Sequence, residues 1–169
     1  MKGRPAADEF AAYYAGYVDQ AKGDDPVAAV QDYDSSLTML SAISEERSLH
    51  RYAAGKWSIK QVLSHVTDTE RVFTLRALWF ARGFTTPLPG FDQDVAVAGA
   101  AADRTPWSRH VEEFRRVRAA SVALFENLPP EAWMRAGIAS DNRFSVRALA
   151  FITAGHANHH FRIVRERYL

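Results

Sequence analysis

The chain has 169 residues, 47% of them apolar and 24% charged, and this length and composition indicate a globular protein with a sizeable core. Its formal net charge is only +1, from 21 basic and 20 acidic residues, which argues against a dedicated nucleic-acid binder. The chain contains no cysteine, so disulfides, thiolate metal ligands and a cysteine nucleophile are all excluded.

Apolar residues recur at helical spacing along the whole chain, and no segment shows convincing strand alternation. A tyrosine-rich apolar stripe within residues 10–18 predicts a short first helix. Asp25 then suits an N-cap and Pro26 the first helical position of a long helix that runs to about Ser44.

A second long helix is predicted from Ile59 to about Arg82. Ser58 and Gln61 have the spacing of a capping box in front of it, and Gly83 is a natural left-handed terminator behind it.

The connection that follows, residues 84–104, is long for a compact domain. Thr105 and Pro106 open a third long helix, and Ser145 caps a fourth that runs to Tyr168. Because the connection is long enough to cross a bundle from end to end, we expect the helices on either side of it to run parallel.

The sequence therefore predicts an all-α fold, a four-helix bundle of up-down-down-up topology with a long crossover between the second and third long helices. We expect a single domain over residues 1–169, in which residues 1–25 form an N-terminal extension with a short helix and residues 26–169 form the bundle.

Two histidines four residues apart, His156 and His160, lie on one face of the predicted fourth helix. Leu149, Ile152 and Ile163 share that face, which indicates that it packs into the bundle. Each buried imidazole needs a hydrogen-bond donor and an acceptor, and an apolar stripe offers few of either. A cation shared by the two rings would instead bind one nitrogen lone pair of each. The alternative is a pair of core histidines bonded to backbone carbonyls.

A third ligand candidate is His65, on an edge of the second long helix that can face the bundle interior. Arg76 shares this edge and is a candidate to clamp an anionic substrate group, with a surface-directed role equally open. His50, in a loop, and His110, on a charged helix face, are interpreted as solvated residues.

No carboxylate follows a candidate ligand directly, in contrast to the H-E-x-x-H pattern of hydrolytic zinc sites. Asp68, the second candidate for a catalytic residue, is accompanied by Asp92 and Asp94 as acids that can approach the site. Glu70 projects about 140° away from His65, so we interpret it as solvated or as part of an interhelical ion pair.

These residues resemble the DinB/YfiT-like superfamily. The matching segments are KWSIK at 56–60, His65, TERVF at 69–73, GH at 155–156, HH at 159–160 and RERY at 165–168, and PLPGFDQD at 87–94 is similar to the YfiT-like branch.

The resemblance implies a four-helix bundle that is commonly a homodimer and binds a divalent metal ion, often zinc or nickel. Its ligands are one histidine on the second helix and an HxxxH pair on the fourth, and His65, His156 and His160 match these three positions.

Three neutral imidazoles leave a coordination position open, as in catalytic zinc sites. Such an ion either lowers the pKa of a bound water or ionises an incoming thiol. The resemblance implies both kinds of enzyme, metal-dependent hydrolases and transferases or isomerases that use small bacterial thiols.

The missing adjacent carboxylate favours transfer of a low-molecular-weight thiol, as cosubstrate, to an electrophilic small-molecule substrate. A metal-dependent hydrolase that uses metal-bound water is the alternative, and a non-catalytic metal-binding or interaction module is a second one. The near-neutral charge makes a DNA-binding role improbable.

The first residues lack the apolar core of a signal peptide, and no apolar run of about 18 residues follows. The absence of cysteine fits a reducing compartment. We therefore expect a cytoplasmic protein that has no membrane partner.

Overall fold

The computed structural model describes residues 3–169 of the chain. Two thirds of the fold is helical, and the elements follow one another as α1 (Ala15–Gln20), α2 (Pro26–Gln31), α3 (Asp34–Ser41), α4 (Glu45–Ser48), α5 (Ile59–Ala81), α6 (Gln93–Ala100), α7 (Trp107–Glu126), β1 (Ala136–Ala139), β2 (Asn142–Ser145) and α8 (Val146–Ile163).

Local signals set the ends of the main helices, as the sequence predicts. The Ser58 hydroxyl accepts the Gln61 backbone N–H at 3.1 Å, and Gln61 Oε1 accepts the Ser58 N–H at 3.0 Å, which completes the capping box of α5. Gly83 follows that helix with a φ of 84°, the left-handed conformation that glycine adopts without strain. Ser145 caps α8 by accepting the Ala148 N–H at 2.9 Å.

Two apolar clusters at opposite ends of the bundle show that α5 and α7 run parallel. Ile59 and Trp107, near the starts of α5 and α7, belong to one cluster. Phe80 and Phe125, near the ends of the same helices, belong to the other. The long connection between the two helices therefore crosses the bundle.

The other two bundle helices run the opposite way. Helix α8 begins in the cluster that holds the end of α5, with Phe151, and ends in the cluster that holds its start, with Phe161. The first bundle helix does the same, from Val30 in α2 to Leu40 in α3. The topology is up-down-down-up.

The first bundle helix is not continuous, contrary to the prediction of one helix up to Ser44. It breaks between α2 and α3, where Asp32 and Tyr33 leave helical geometry. The break leaves the Val30 carbonyl free to accept a hydrogen bond from Arg118 Nη1 at 3.1 Å. A buried arginine thus takes the place of a helical N–H group.

The connection 84–104 is also more ordered than predicted. Asp92 caps α6 within it by accepting the backbone N–H groups of Asp94 and Val95 at 2.9 and 3.1 Å. The segment before α8 forms the antiparallel hairpin β1–β2, whose turn residues Ser140 and Asp141 both have positive φ. This hairpin leaves the all-α fold class unchanged, since it is the one strand pair in residues 3–169.

The last turns of the chain widen into a π-helix over Val164–Tyr168, so the helical backbone ends where the sequence predicts. Among the described residues, no helix combines the length and the apolar character needed to cross a membrane.

Candidate metal centre

The fold brings His65, from the second turn of α5, together with His156 and His160 on successive turns of α8. The Nε2 atoms of His65 and His156 are 3.1 Å apart, and one ring nitrogen from each histidine lies within 4.8 Å of the other two. The three ring centroids are separated by 4.6 to 5.0 Å. The sequence predicts this cluster, which we call the histidine triad.

Close packing of α1 against α8 buries one side of the triad. A Cβ atom on Gly155 would lie 1.7 Å from the Tyr17 carbonyl oxygen, so only glycine permits this contact. The Tyr17 ring then meets the neighbouring His156 ring edge-on, with 5.2 Å between the centroids. As a result His156 is 4% exposed, as is His65, while His160 is half-buried.

Burial keeps the triad neutral. It lowers the pKa of His65 to about 4 and, helped by the nearby His65 and His159, the pKa of His160 to about 3. The pKa of His156 lies well below its ordinary value, first because of burial and then because of the neighbouring imidazoles. Uncharged imidazoles keep the ring lone pairs that a metal ion needs.

The surroundings orient the His65 ring and separate His159 from the triad. Thr69 Oγ1 lies 3.4 Å from His65 Nδ1, and the Trp57 ring packs against the same imidazole with a centroid separation of 5.0 Å. His159 turns instead toward Gln20, whose Nε2 is 3.2 Å from its Nδ1. The triad therefore takes the first and last histidines of the 156–160 segment.

A cleft of about 500 Å³ opens beside His65 and His156. One wall comes from α5, and the others come from the N-terminal segment, the start of the crossover and the turn of the hairpin. The lining residues outside the triad are Tyr13, Tyr14, Tyr17, Thr69, Val72, Phe73, Arg76, Gly90, Phe91, Asp92, Gln93 and Ser140.

Arg76 lines this cleft and is not directed to the surface, so the surface-directed role is excluded, and its role as an anion clamp stays a prediction. Its side chain is only 4% exposed, and its Nη2 donates to Ser140 Oγ at 2.8 Å and to the Pro89 carbonyl at 3.2 Å.

The acidic candidates are mostly engaged elsewhere. Asp68 does not line the cleft and instead forms an ion pair with Arg71 at 2.9 Å. Glu70 forms a buried interhelical ion pair with Arg118, the second of the two roles predicted for it. Asp92 does line the cleft, but its Oδ1 is occupied by the cap of α6.

The interpretation of His110 as a solvated residue is wrong. It is 5% exposed, and its Nε2 lies 2.9 Å from the Ala102 carbonyl oxygen, so it joins α7 to the end of the crossover. The charged residues beside it on α7 concealed this buried side.

Sequence reasoning missed the part that the N-terminal tyrosines play in the cleft. Tyr13, Tyr14 and Tyr17 carry the helical spacing of an ordinary packing stripe, yet they form a wall of the cleft. Burial raises the pKa of Tyr14 and Tyr17 above the usual phenol value, so both hydroxyls stay protonated at neutral pH. Their clustering was the one available signal.

Comparisons with known proteins agree with this architecture. The family model described as the DinB superfamily matches residues 28–164. A comparison with curated protein sequences gives no significant match.

Two solved structures are similar to the fold. YfiT from Bacillus subtilis, described as a probable metal-dependent hydrolase with an unusual four-helix bundle topology, has a TM-score of 0.72 and 14% identity over 96% of this chain and 89% of its own. The mycothiol-dependent maleylpyruvate isomerase has a TM-score of 0.67 and 11% identity over 85% of this chain. This chain spans 59% of the isomerase's length. At these identities the likeness establishes the fold alone.

Proposed function

The chain belongs to the DinB superfamily, and from this membership and the geometry of the cleft we propose that it is a metal-dependent enzyme whose ion is held by His65, His156 and His160. We further propose that it transfers a low-molecular-weight thiol to an electrophilic small molecule bound in the same cleft.

The donor set fits a divalent transition-metal ion. Two tetrahedral ligands at zinc–nitrogen distances of 2.0–2.1 Å are about 3.3 Å apart, and the closest pair in the triad is separated by 3.1 Å. All three rings are uncharged at neutral pH, so no proton has to be displaced before binding. Imidazole is a good ligand for both zinc and nickel.

A divalent ion with three neutral ligands and an open position ionises a bound thiol or activates water near neutral pH. The observation that favours thiol transfer over hydrolysis is that the carboxylates near the site are already engaged by other groups of the protein. Asp68 and Glu70 are held in ion pairs away from the cleft, and Asp92 accepts two backbone N–H groups. Hydrolysis expels a leaving group, and a carboxylate beside the ion would carry a proton from the water to that group. A thiol that adds to an electrophilic carbon would release its proton to solvent on ionising, and the adduct would regain one from solvent, so this reaction has no leaving group to protonate.

The residues of the chain supply shape and orientation for such a transfer. Phe73 and Tyr17 flank His156 with ring centroids at 5.7 and 5.2 Å, which excludes water from that side of the triad. The Tyr14 hydroxyl stays protonated and can donate a hydrogen bond to a polar group on the substrate, and the Tyr17 hydroxyl lies beside Tyr13.

A hydrolase is the second candidate, supported by the likeness to YfiT, which is described as a probable metal-dependent hydrolase. Its base would be Asp92, through the carboxylate oxygen that does not cap α6, because no other carboxylate lines the cleft in residues 3–169.

Metal analysis of the purified protein tests the site. We expect one divalent ion per chain in the wild type and little in His160→Ala, while His159→Ala, altered at the adjacent histidine that lies outside the triad, keeps the ion. Equal metal content in all three proteins would overturn the assignment.

Titration of the cobalt-loaded protein separates the two reactions. N-acetylcysteine is expected to produce thiolate-to-cobalt charge-transfer absorption, and N-acetylserine, which lacks the sulfur, is expected to produce none. Turnover of model esters with no spectral response to the thiol would instead favour the hydrolase.

A further inference from the structure

Arg76 is a buried cation that has no carboxylate partner among residues 3–169. Nη2 donates to Ser140 Oγ and to the Pro89 carbonyl, and the Tyr14 hydroxyl also lies beside the guanidinium, so all of its polar partners are uncharged. The other buried arginine, Arg118 of α7, is neutralised by the carboxylate of Glu70. A buried charge without a counter-ion is costly, so its retention points to a charged group that the protein itself does not supply.

The free N–H groups of Arg76 open onto the cleft. In the described part of the chain Nη2 makes the hydrogen bonds to Ser140 and Pro89, and the one further polar neighbour of the guanidinium is the Tyr14 hydroxyl, which itself lines the cleft. Every fully buried side-chain nitrogen and oxygen there does have a partner, so the unpaired atoms of Arg76 are ones that retain access to the cleft. Burial lowers the pKa of this guanidinium, and a bound anion would relieve that effect.

The guanidinium is held in a fixed position before any ligand arrives. Ser140 occupies a left-handed position in the hairpin turn, with a φ of 49°, and the Leu88 carbonyl accepts its N–H at 3.2 Å. The Phe144 ring lies under the guanidinium, 5.9 Å away. Such preorganisation reduces the cost of binding an anion.

Packed aromatic rings connect Arg76 to the triad, and two of them, Tyr14 and Phe73, line the cleft between the two ends. Successive contacts link Arg76 to Phe144, Phe144 to Tyr14, Tyr14 to Phe73 and Phe73 to His156 at 5.9, 5.0, 6.3 and 5.7 Å. Along α5, Arg76 follows His65 by three turns, or about 16 Å between Cα atoms. A molecule that reaches both ends therefore has an apolar body of small-molecule length.

We propose that Arg76 forms a carboxylate-binding subsite of the cleft, so that the substrate is a small organic acid whose anionic end lies at Arg76 and whose reactive end faces the triad. A carboxylate fits better than a phosphate dianion, because Arg76 is the one lysine or arginine among the lining residues and Asp92 already contributes a negative charge. The claim that the reactive end faces the triad rests on the proposed function, whereas carboxylate binding at Arg76 can be measured independently of it.

Calorimetric titration of the zinc-supplemented protein tests the subsite with a matched pair of probes. We expect 3-phenylpropanoate to bind at least about tenfold more tightly than the neutral 3-phenylpropanamide, the value of one charge-assisted hydrogen bond. Arg76→Gln is expected to remove this preference, and Arg82→Gln, at the exposed end of the same helix, to keep it. Arg76→Lys, which retains the charge, is expected to keep a reduced preference and serves if the glutamine variant does not fold.

His160→Ala separates this proposal from the metal site. A preference that persists in His160→Ala and disappears in Arg76→Gln supports the subsite, even if the protein proves to bind no metal. A preference lost in His160→Ala and kept in Arg76→Gln would mean that the probe binds a metal ion, and would overturn the proposal. Inorganic phosphate at millimolar concentration is expected not to compete with 3-phenylpropanoate. If phosphate displaces 3-phenylpropanoate as effectively as a second carboxylate does, the assignment of the subsite to carboxylates is overturned.

A nuclear magnetic resonance measurement provides a readout in the unaltered protein. The Nε–H signal that is missing from the Arg76→Lys spectrum identifies Arg76. We expect 3-phenylpropanoate to shift this signal and the amide to leave it in place. An unmoved signal at saturating probe would refute direct binding.

Discussion

Glu70 of α5 and Arg118 of α7 form an ion pair in which both side chains are only 2% exposed. Arg118 Nε and Nη2 both donate to the carboxylate, at 2.8 to 3.0 Å, and Nη1 donates to the Val30 carbonyl at the break between α2 and α3. One side chain thus joins three segments of the bundle, and it does so close to the middle of the parallel pair α5 and α7.

Removing one partner of this pair is expected to destabilise the fold strongly. Glu70→Ala leaves the Arg118 charge buried without a partner, which costs about 3–5 kcal/mol in the free energy of unfolding. Urea denaturation measures this loss. The control is Arg71→Ala, which removes half-exposed ion pairs with Asp68 and Glu113 and is expected to cost less than about 1 kcal/mol. Similar losses in the two variants would contradict a special role for the buried pair.

Close approach of α1 to α8 predicts that Gly155→Ala is far more damaging than an ordinary glycine substitution. Its new Cβ would overlap the Tyr17 carbonyl, so α1 has to move away from α8 and uncover His156. We expect a lower melting temperature and faster proteolysis of the N-terminal segment. Gly16→Ala in α1, where nothing lies within 4 Å of the added Cβ, is the matched control and is expected to stabilise slightly.

The sequence is informative where local rules apply. Capping residues such as Ser58 and Ser145 set the helix starts, and the four-residue spacing of His156 and His160 puts both rings on one face, so the bundle and the triad are accessible to prediction. The resemblance to a known superfamily supports the same three histidines. The single domain and the homodimer stay predictions.

Features that depend on contacts between residues distant in the chain cannot be predicted from such local rules. At the break after Val30, the carbonyl of that residue accepts a hydrogen bond from Arg118, which is 88 residues away in the chain. The hairpin turn at Ser140 and Asp141 has positive φ without the Asn-Gly signal that reveals such turns. The tyrosine wall of the cleft forms only because the N-terminal segment folds back over α8, which no local pattern of residues indicates.

Glu9 anchors this N-terminal segment and predicts a pH dependence of stability. Burial alone would raise the pKa of its carboxyl group, but hydrogen bonds from Arg147, Ser145 and the Ala6 N–H outweigh burial and lower it below the ordinary value of 4.5. Because the folded-state pKa is the lower one, the stabilisation is complete above about pH 4.5 and is lost as the pH falls through the folded-state value.

The comparison of wild type with Glu9→Gln isolates this contribution. The difference in the free energy of unfolding between the two proteins is expected to be constant from neutral pH down to about pH 5 and to shrink at lower pH. Denaturation at a series of pH values measures it. A difference that stays the same down to pH 3 would show that the ionised carboxylate is not what holds the segment.

Metal binding by the triad can be measured without an activity assay, through its effect on the stability of the folded protein. An ion that binds only the folded chain raises the free energy of unfolding by about 2.7 kcal/mol at a hundredfold excess over its dissociation constant. We expect zinc or nickel to raise the melting temperature of the wild type and of His159→Ala, and to leave His65→Ala and His160→Ala unchanged. Equal stabilisation of all four proteins would place the ion elsewhere, because His65, His156 and His160 converge whereas His159 turns toward Gln20.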